Sequence, residues 1–211
     1  MKISVIDLET GGFDSKAHGT TQVAAINGVL YEDKGAVRFG VLGQFHELLA
    51  PLPGFYYDKH ALEYQRMDME TLTQEGSNPT GLVTRLSTFI EPTWRLGPGR
   101  IWAQEDMFDF SFLKALYEYD RVAGNNDRRV HEWIGTRSDW SCSKRLARFC
   151  RAFGLLDCES DSLDPVCKRL GIERPTFTDL KPVQDCWMTG NVVAALTTRL
   201  GLAGHPYYLS R

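Results

Sequence analysis

Lys2 to Leu8 alternates apolar and polar positions with a β-rich composition, which predicts a first strand. Gln22 to Tyr31 and Val37 to Leu49 read as two more strands, joined through the turn-like Glu32-Asp33-Lys34-Gly35. Three strands with short links predict an antiparallel meander. Pro51 to Tyr57 reads as loop, and Asp68 to Gln74 and Pro79 to Ile90 as helices. Leu82, Leu86 and Phe89/Ile90 form the apolar stripe of the second helix. After a loop holding Pro92, Gly97, Pro98 and Gly99, a short strand at Arg100 to Ala103 leads into a helix from about Phe108 to Tyr119.

Ala123 to Arg129 reads as a polar loop. Ser141 to Phe153 reads as a helix, with Leu146, Phe149, Cys150 and Phe153 at i, i+3, i+4 and i+7. Leu163 to Leu170 is a shorter one stopped by Gly171. The last helix carries Pro182 in its first turn and Gly201 just past its end. Strands, then strand–helix alternation, then helices predict an α/β fold: a mixed sheet with helices on its faces. No linker marks a boundary, so residues 1–211 are expected to form one domain.

The composition, 43 % hydrophobic and 24 % charged, excludes wholesale disorder. No apolar run approaches the roughly 20 residues of a membrane span, and the N-terminus reaches acids too early for a signal peptide. A soluble, cytoplasmic protein with no membrane partner is expected. A net charge of −3 excludes a polybasic coat, so a nucleic-acid partner would be held locally or through cations. Cys142, Cys150, Cys158, Cys167 and Cys186 lack zinc-ligand spacing and read as small buried hydrophobes.

Asp7-Leu8-Glu9 closes the first strand. Residues i and i+2 of a strand share a face, so two carboxylates would lie on one side of a buried strand, where a cation between them would relieve their repulsion. The plainer reading is a strand ending in a solvated acidic turn. Thr10-Gly11-Gly12 follows and permits a sharp turn and close ligand approach. Asp109 in the first turn of its helix and Asp185 near the start of the last helix complete four acids at element ends. Four carboxylates without soft ligands specify hard cations, Mg²⁺ or Mn²⁺. Two such ions about 4 Å apart activate a water and stabilise the leaving oxygen of a phosphodiester.

The DLETGG segment, Phe108-Asp109 opening a helix, and Asp185 early in a late helix resemble the DEDD exonucleases. Phe45 to Pro51, His60 to Leu62 and Met67 to Leu72 are similar to the region between that family's first two motifs. Ser162 to Ile172 is similar to the helix before its last motif. Trp102 to Leu113 and Trp133 to Leu146 resemble the phage exonuclease A branch.

The resemblance implies a ribonuclease H-like mixed five-stranded sheet and two-metal 3′→5′ hydrolysis at single-stranded or frayed DNA or RNA ends. The setting would be the host cytoplasm if the chain is phage-encoded. It implies Asp7, Glu9, Asp109 and Asp185 as catalytic metal ligands, Phe13 as a wedge against the terminal base, and Thr10 and Gly11 beside the terminal nucleotide.

The pattern departs at the proton acceptor. The family's histidine falls on Leu180 and its alternative tyrosine on Lys181. Three accounts stay open: hydrolysis without a side-chain base, a substitute among Lys181, Asp179, His18, His60, His131 and His205, or an attenuated fold that binds nucleic acid or regulates a partner. Bland roles exist for these residues, with Asp179 an N-cap and Lys181 a solvated side chain. Lys144, Arg148 and Arg151, with Arg145, make a basic face opposite the apolar stripe of their helix, suited either to phosphates or simply to water.

Overall fold

The computed structural model describes residues 1–124 and 140–202. The expectations for residues 125–129 of the polar loop, for Trp133, His131, Ser138 and Asp139, and for His205 lie outside the described residues. Five strands form one sheet in the order β3-β2-β1-β4-β5: β1 (Lys2–Thr10), β2 (Thr20–Asp33), β3 (Ala36–Leu48), β4 (Ile101–Ala103) and β5 (Trp140–Cys142). The meander is antiparallel, with Asp7 opposite Ala24 and Glu9 opposite Gln22; β4 and β5 add in parallel beyond β1. This is the expected mixed α/β sheet, with β1 at its centre.

The period-two alternation of β1 splits the core. Ile6 and Leu8 face α3 (Leu82–Trp94) and α4 (Asp106–Val122), packing with Leu86, Ile90, Phe112 and Leu113. Ile3 and Val5 face α7 (Lys181–Arg199), against Val183, Cys186 and Val193. Odd-numbered positions of β1 therefore look toward α7, and Asp7 and Glu9 continue that row. Gly190 lets α7 sit close on the sheet, since a Cβ there would fall 2.4 Å from the Phe39 ring.

Several elements differ from expectation. A helix α1 (Lys59–Tyr64), capped by Asp58 accepting from His60 and Ala61 N–H, occupies a stretch with no amphipathic period long enough to reveal it; α2 (Met69–Glu75) follows as expected. Helix α3 continues through Pro92 to Trp94 because Ile90 and Thr93 are buried there. The helix expected from Ser141 begins only at Ser143, as α5 (Ser143–Ala152), because Trp140 to Cys142 pairs with β4.

Its apolar stripe is also rotated. Ala147 and Cys150 are buried against α7 and α6 (Leu163–Leu170), while Phe149 and Phe153 are 49 % and 67 % exposed and stack on each other at 4.6 Å. Finally, the N-cap of α7 is Leu180, not Asp179; its N–H is taken by Thr178 Oγ1. All five cysteines are free thiols, and four are buried. Among the described residues, no helix is long and apolar enough to cross a membrane.

Candidate active site

Three of the four predicted acids meet where β1 runs under the first turns of α7. Asp7, Glu9 and Asp185 each present a carboxylate oxygen, and these oxygens lie within 4.8 Å of one another. Asp109 comes from the first turn of α4, is 3 % exposed, and accepts the Leu8 N–H at 3.2 Å, which holds it against the middle of the Asp7-Leu8-Glu9 segment. Asp7 accepts no hydrogen bond from the described residues. Burial pushes its carboxyl well above the ordinary carboxylate range, and the neighbouring charges of Asp109, Asp185 and Glu9 add to the rise. Burial likewise raises Asp109 to about 8, against the Leu8 N–H that favours its charge. Glu9 is raised by burial and held back by Lys181.

Such a donor set suits a hard divalent cation: all oxygen, mutually repelling, and including a carboxylate with no donor of its own. Among the described residues, two cations reach into it. Lys181 Nζ donates to Glu9 Oε1 and lies 3.8 Å from Asp185 Oδ2. Arg174 Nη1 donates to Asp185 Oδ1 at 2.7 Å, and its Nη2 to Asp164 Oδ1 at 2.9 Å. Lys181 is thus not the freely solvated side chain its sequence position suggests.

Beside Glu9 opens a cavity of about 610 Å³, lined by Thr10, Gly12, Phe13, His18, His60, Tyr64 and Phe108 among others. Phe13 is 91 % exposed on its rim. Thr10 stands in the wall, its hydroxyl turned to Gly12 O. Gly11 lies behind it: its N–H and C=O are taken by Gly19 and Asp58, and a Cβ there would come within 2.7 Å of the Tyr57 ring. Gly12, with φ +157°, presents backbone to the cavity in its place.

No family model matches the sequence, and no curated protein does. The backbone matches solved structures instead. Product-bound exonuclease I superposes with a TM-score of 0.71 at 15 % identity, over 96 % of this chain and 44 % of that one. The chain has the fold of exonuclease I. A second exonuclease I structure gives 0.70 at 18 % identity over 94 % and 41 %. E. coli exonuclease I in complex with a 5cy-dA13 oligonucleotide gives 0.70 at 16 % identity over 99 % and 42 %. The chain therefore spans less than half the length of these exonuclease I chains.

On this exonuclease I fold the predicted basic face lies along α5, beyond Glu105 and Asp106 at the start of α4. Its cations are largely committed to acids of the chain. Lys144 pairs with Glu105 at 2.9 Å, Arg148 with Asp161 at 2.7 Å, and Arg145 with Asp106. Among the described residues, Arg151 bonds only the Glu159 carbonyl. Leu180, 40 % exposed, lines a second cavity of about 690 Å³ with Tyr64, Arg66, Arg174, Lys181 and Gln184. Tyr64, shared by both cavities, and Arg174 were missed in the sequence. Neither lies in an acidic motif, and only the folded chain brings them to the carboxylates.

Proposed function

We propose that the protein is a divalent-metal-dependent 3′→5′ exonuclease acting on single-stranded or frayed DNA or RNA ends. The observation that carries this reading is the meeting of Asp7, Glu9 and Asp185 beside an aromatic-walled cavity that shares Glu9. The exonuclease I fold and the oligonucleotide complexes of that enzyme support it.

Asp7, Glu9, Asp109 and Asp185 would hold two Mg²⁺ or Mn²⁺ ions. When bound, such ions polarise phosphoryl oxygens and stabilise charge on the leaving oxygen. The chain's own groups do the positioning. Phe13 and Tyr64 offer ring faces on which a terminal base stacks without regard to its identity. Thr10 and the Gly12 backbone bound the space for its sugar, and Phe108 closes the floor. The histidine position is filled by Leu180, which cannot accept a proton, so turnover is expected to be slow. Removing a general base typically costs roughly 10²- to 10⁴-fold.

A second reading, an attenuated nuclease fold that binds nucleic acid or regulates a partner, is favoured by one observation, the Lys181 ammonium seated on Glu9. The two readings separate in one assay. Oligonucleotides of DNA and RNA labelled at the 5′ end are incubated with Mn²⁺, with Mg²⁺ and with chelator. The exonuclease gives a ladder shortening from the 3′ end that chelator abolishes. Retention of intact oligonucleotide by the protein, with no ladder in either metal, leaves the binding module.

A further inference from the structure

We propose that Lys181 is a built-in stand-in for a metal ion: its ammonium holds the carboxylate cluster together in the ion-free protein, and a divalent ion enters by displacing it from Glu9. The inference rests on the reading of Asp7, Glu9 and Asp185 as an ion site.

Lys181 is the first residue of α7, one turn before Asp185, so its stem runs from the helix start across the cluster. The ammonium donates to Glu9 Oε1 and stands 3.8 Å from Asp185 Oδ2, bridging two of the three carboxylates that converge. Those carboxylates are two of the three that a divalent ion would draw on. A dication and an ammonium repel at such range, and a lone pair on Glu9 Oε1 cannot serve both at full strength. The two occupancies therefore compete.

Arg174 differs from Lys181 in a way that decides which cation moves. Its planar fork spans Asp185 and Asp164, at 2.7 and 2.9 Å, with a third bond to Gln184 Oε1 at 3.2 Å, so two of its three hydrogen bonds go to groups outside the cluster. Among the described residues, Lys181 has no carboxylate partner outside the cluster. Its other contact is the Tyr64 ring, with Nζ 4.8 Å from the centroid. That aromatic face supports the ammonium while leaving it on a flexible four-carbon stem, and Tyr64 opens on both cavities, which gives the displaced side chain somewhere to go.

A ligand that binds only one of two states has its apparent affinity reduced by the fraction of that state. If the lysine is off Glu9 about one-tenth of the time, Mn²⁺ binds about tenfold more weakly than the bare carboxylates would allow.

The test is calorimetric titration of Mn²⁺ into metal-stripped wild type, Lys181→Met and Asp7→Asn, with thermal melts in chelator and in Mn²⁺. Lys181→Met is expected to bind Mn²⁺ about tenfold tighter or more. It should melt lower than wild type in chelator and gain more from Mn²⁺. A lysine with a merely structural part would show the lower melt without the tighter binding. Wild type that binds Mn²⁺ through Asp7, with Lys181→Met binding equally or more weakly, overturns this inference and leaves the ion site standing. Absence of Mn²⁺ binding in all three overturns both. A Lys181→Met protein that folds only with Mn²⁺ supports the inference outright. If it folds in neither condition, Lys181→Gln carries the test, since it keeps a donor for Glu9 without the charge: tighter binding supports, unchanged binding overturns.

Discussion

Asp7 is a carboxylate on the central strand with no hydrogen-bond donor among the described residues and three acids around it. Asp7→Asn removes the charge at nearly constant shape. Partners that only orient a metal ligand already cost about 10- to 100-fold when lost, so removal of the ligand itself should lower divalent-dependent cleavage by more than about 100-fold. Gel ladders measure the loss, and a far-ultraviolet spectrum like that of wild type shows that the fold is kept. Asp109 gives a pH signature in chelator. Burial raises its carboxyl to about 8 in the folded chain against an ordinary 3.8, so the folded form binds this proton more tightly. Its stabilising effect is full below about 4 and is lost as the pH rises through about 8. Asp109→Asn keeps an oxygen for the Leu8 N–H but does not titrate, so its melting temperature relative to wild type should climb across that window. A difference flat with pH would mean that Asp109 is already ionised at pH 5.

At the scale of elements, α5 and the loop entering α7 carry the informative differences. Three cations of α5 are expected to touch phosphates, yet Lys144 and Arg148 are each paired with an acid. Each lost phosphate contact removes about 0.7 from the log–log salt slope for a single strand. Changing Lys144, Arg148 and Arg151 together to Ala should therefore flatten the slope by about 0.7, for Arg151 alone, and not by roughly three times as much. Oligonucleotide binding curves at several salt concentrations measure it. In the loop before α7, Leu180 lines the cavity into which Lys181 and Arg174 also project. A histidine there has a pKa near neutrality, so Leu180→His is expected to raise turnover about 10- to 100-fold and to add a limb near pH 6–7 to the pH–rate profile. A folded variant with unchanged turnover would show that residue 180 is turned away from the reacting phosphate.

For the whole molecule, an ion that binds only the folded chain must stabilise all of it. At a hundred times its dissociation constant a ligand adds about 2.7 kcal/mol. For a chain of this size that corresponds to roughly 5–10 °C in the melting temperature. Mn²⁺ should produce such a rise in wild type, chelator should reverse it, and Asp7→Asn should show little of it. Scanning calorimetry at fixed protein concentration measures all three. An equal rise in Asp7→Asn would place the ion elsewhere on the protein.

The sequence by itself determined the meander, the helix-flanked mixed sheet and the placement of four acids at element ends, because these follow from short-range regularities. Period-two alternation reveals β1 to β3, and a carboxylate at the end of a strand or the start of a helix marks a place where charge is tolerated. It did not reveal β5, three residues long, since Trp140 to Cys142 acquires its strand character only by pairing with β4. Nor did it reveal which face of α5 is buried, because Phe149 and Phe153 are as apolar as Cys150 and only the position of α7 decides among them. Lys181 shows the limit most plainly. From its neighbours it reads as a solvated lysine at a helix start, but β1 places Glu9 against it across a separation of 172 residues. Whether a charge is free or spent depends on what the fold puts within a few ångströms of it, and electrostatic attraction between distant parts of a chain leaves no local pattern to read.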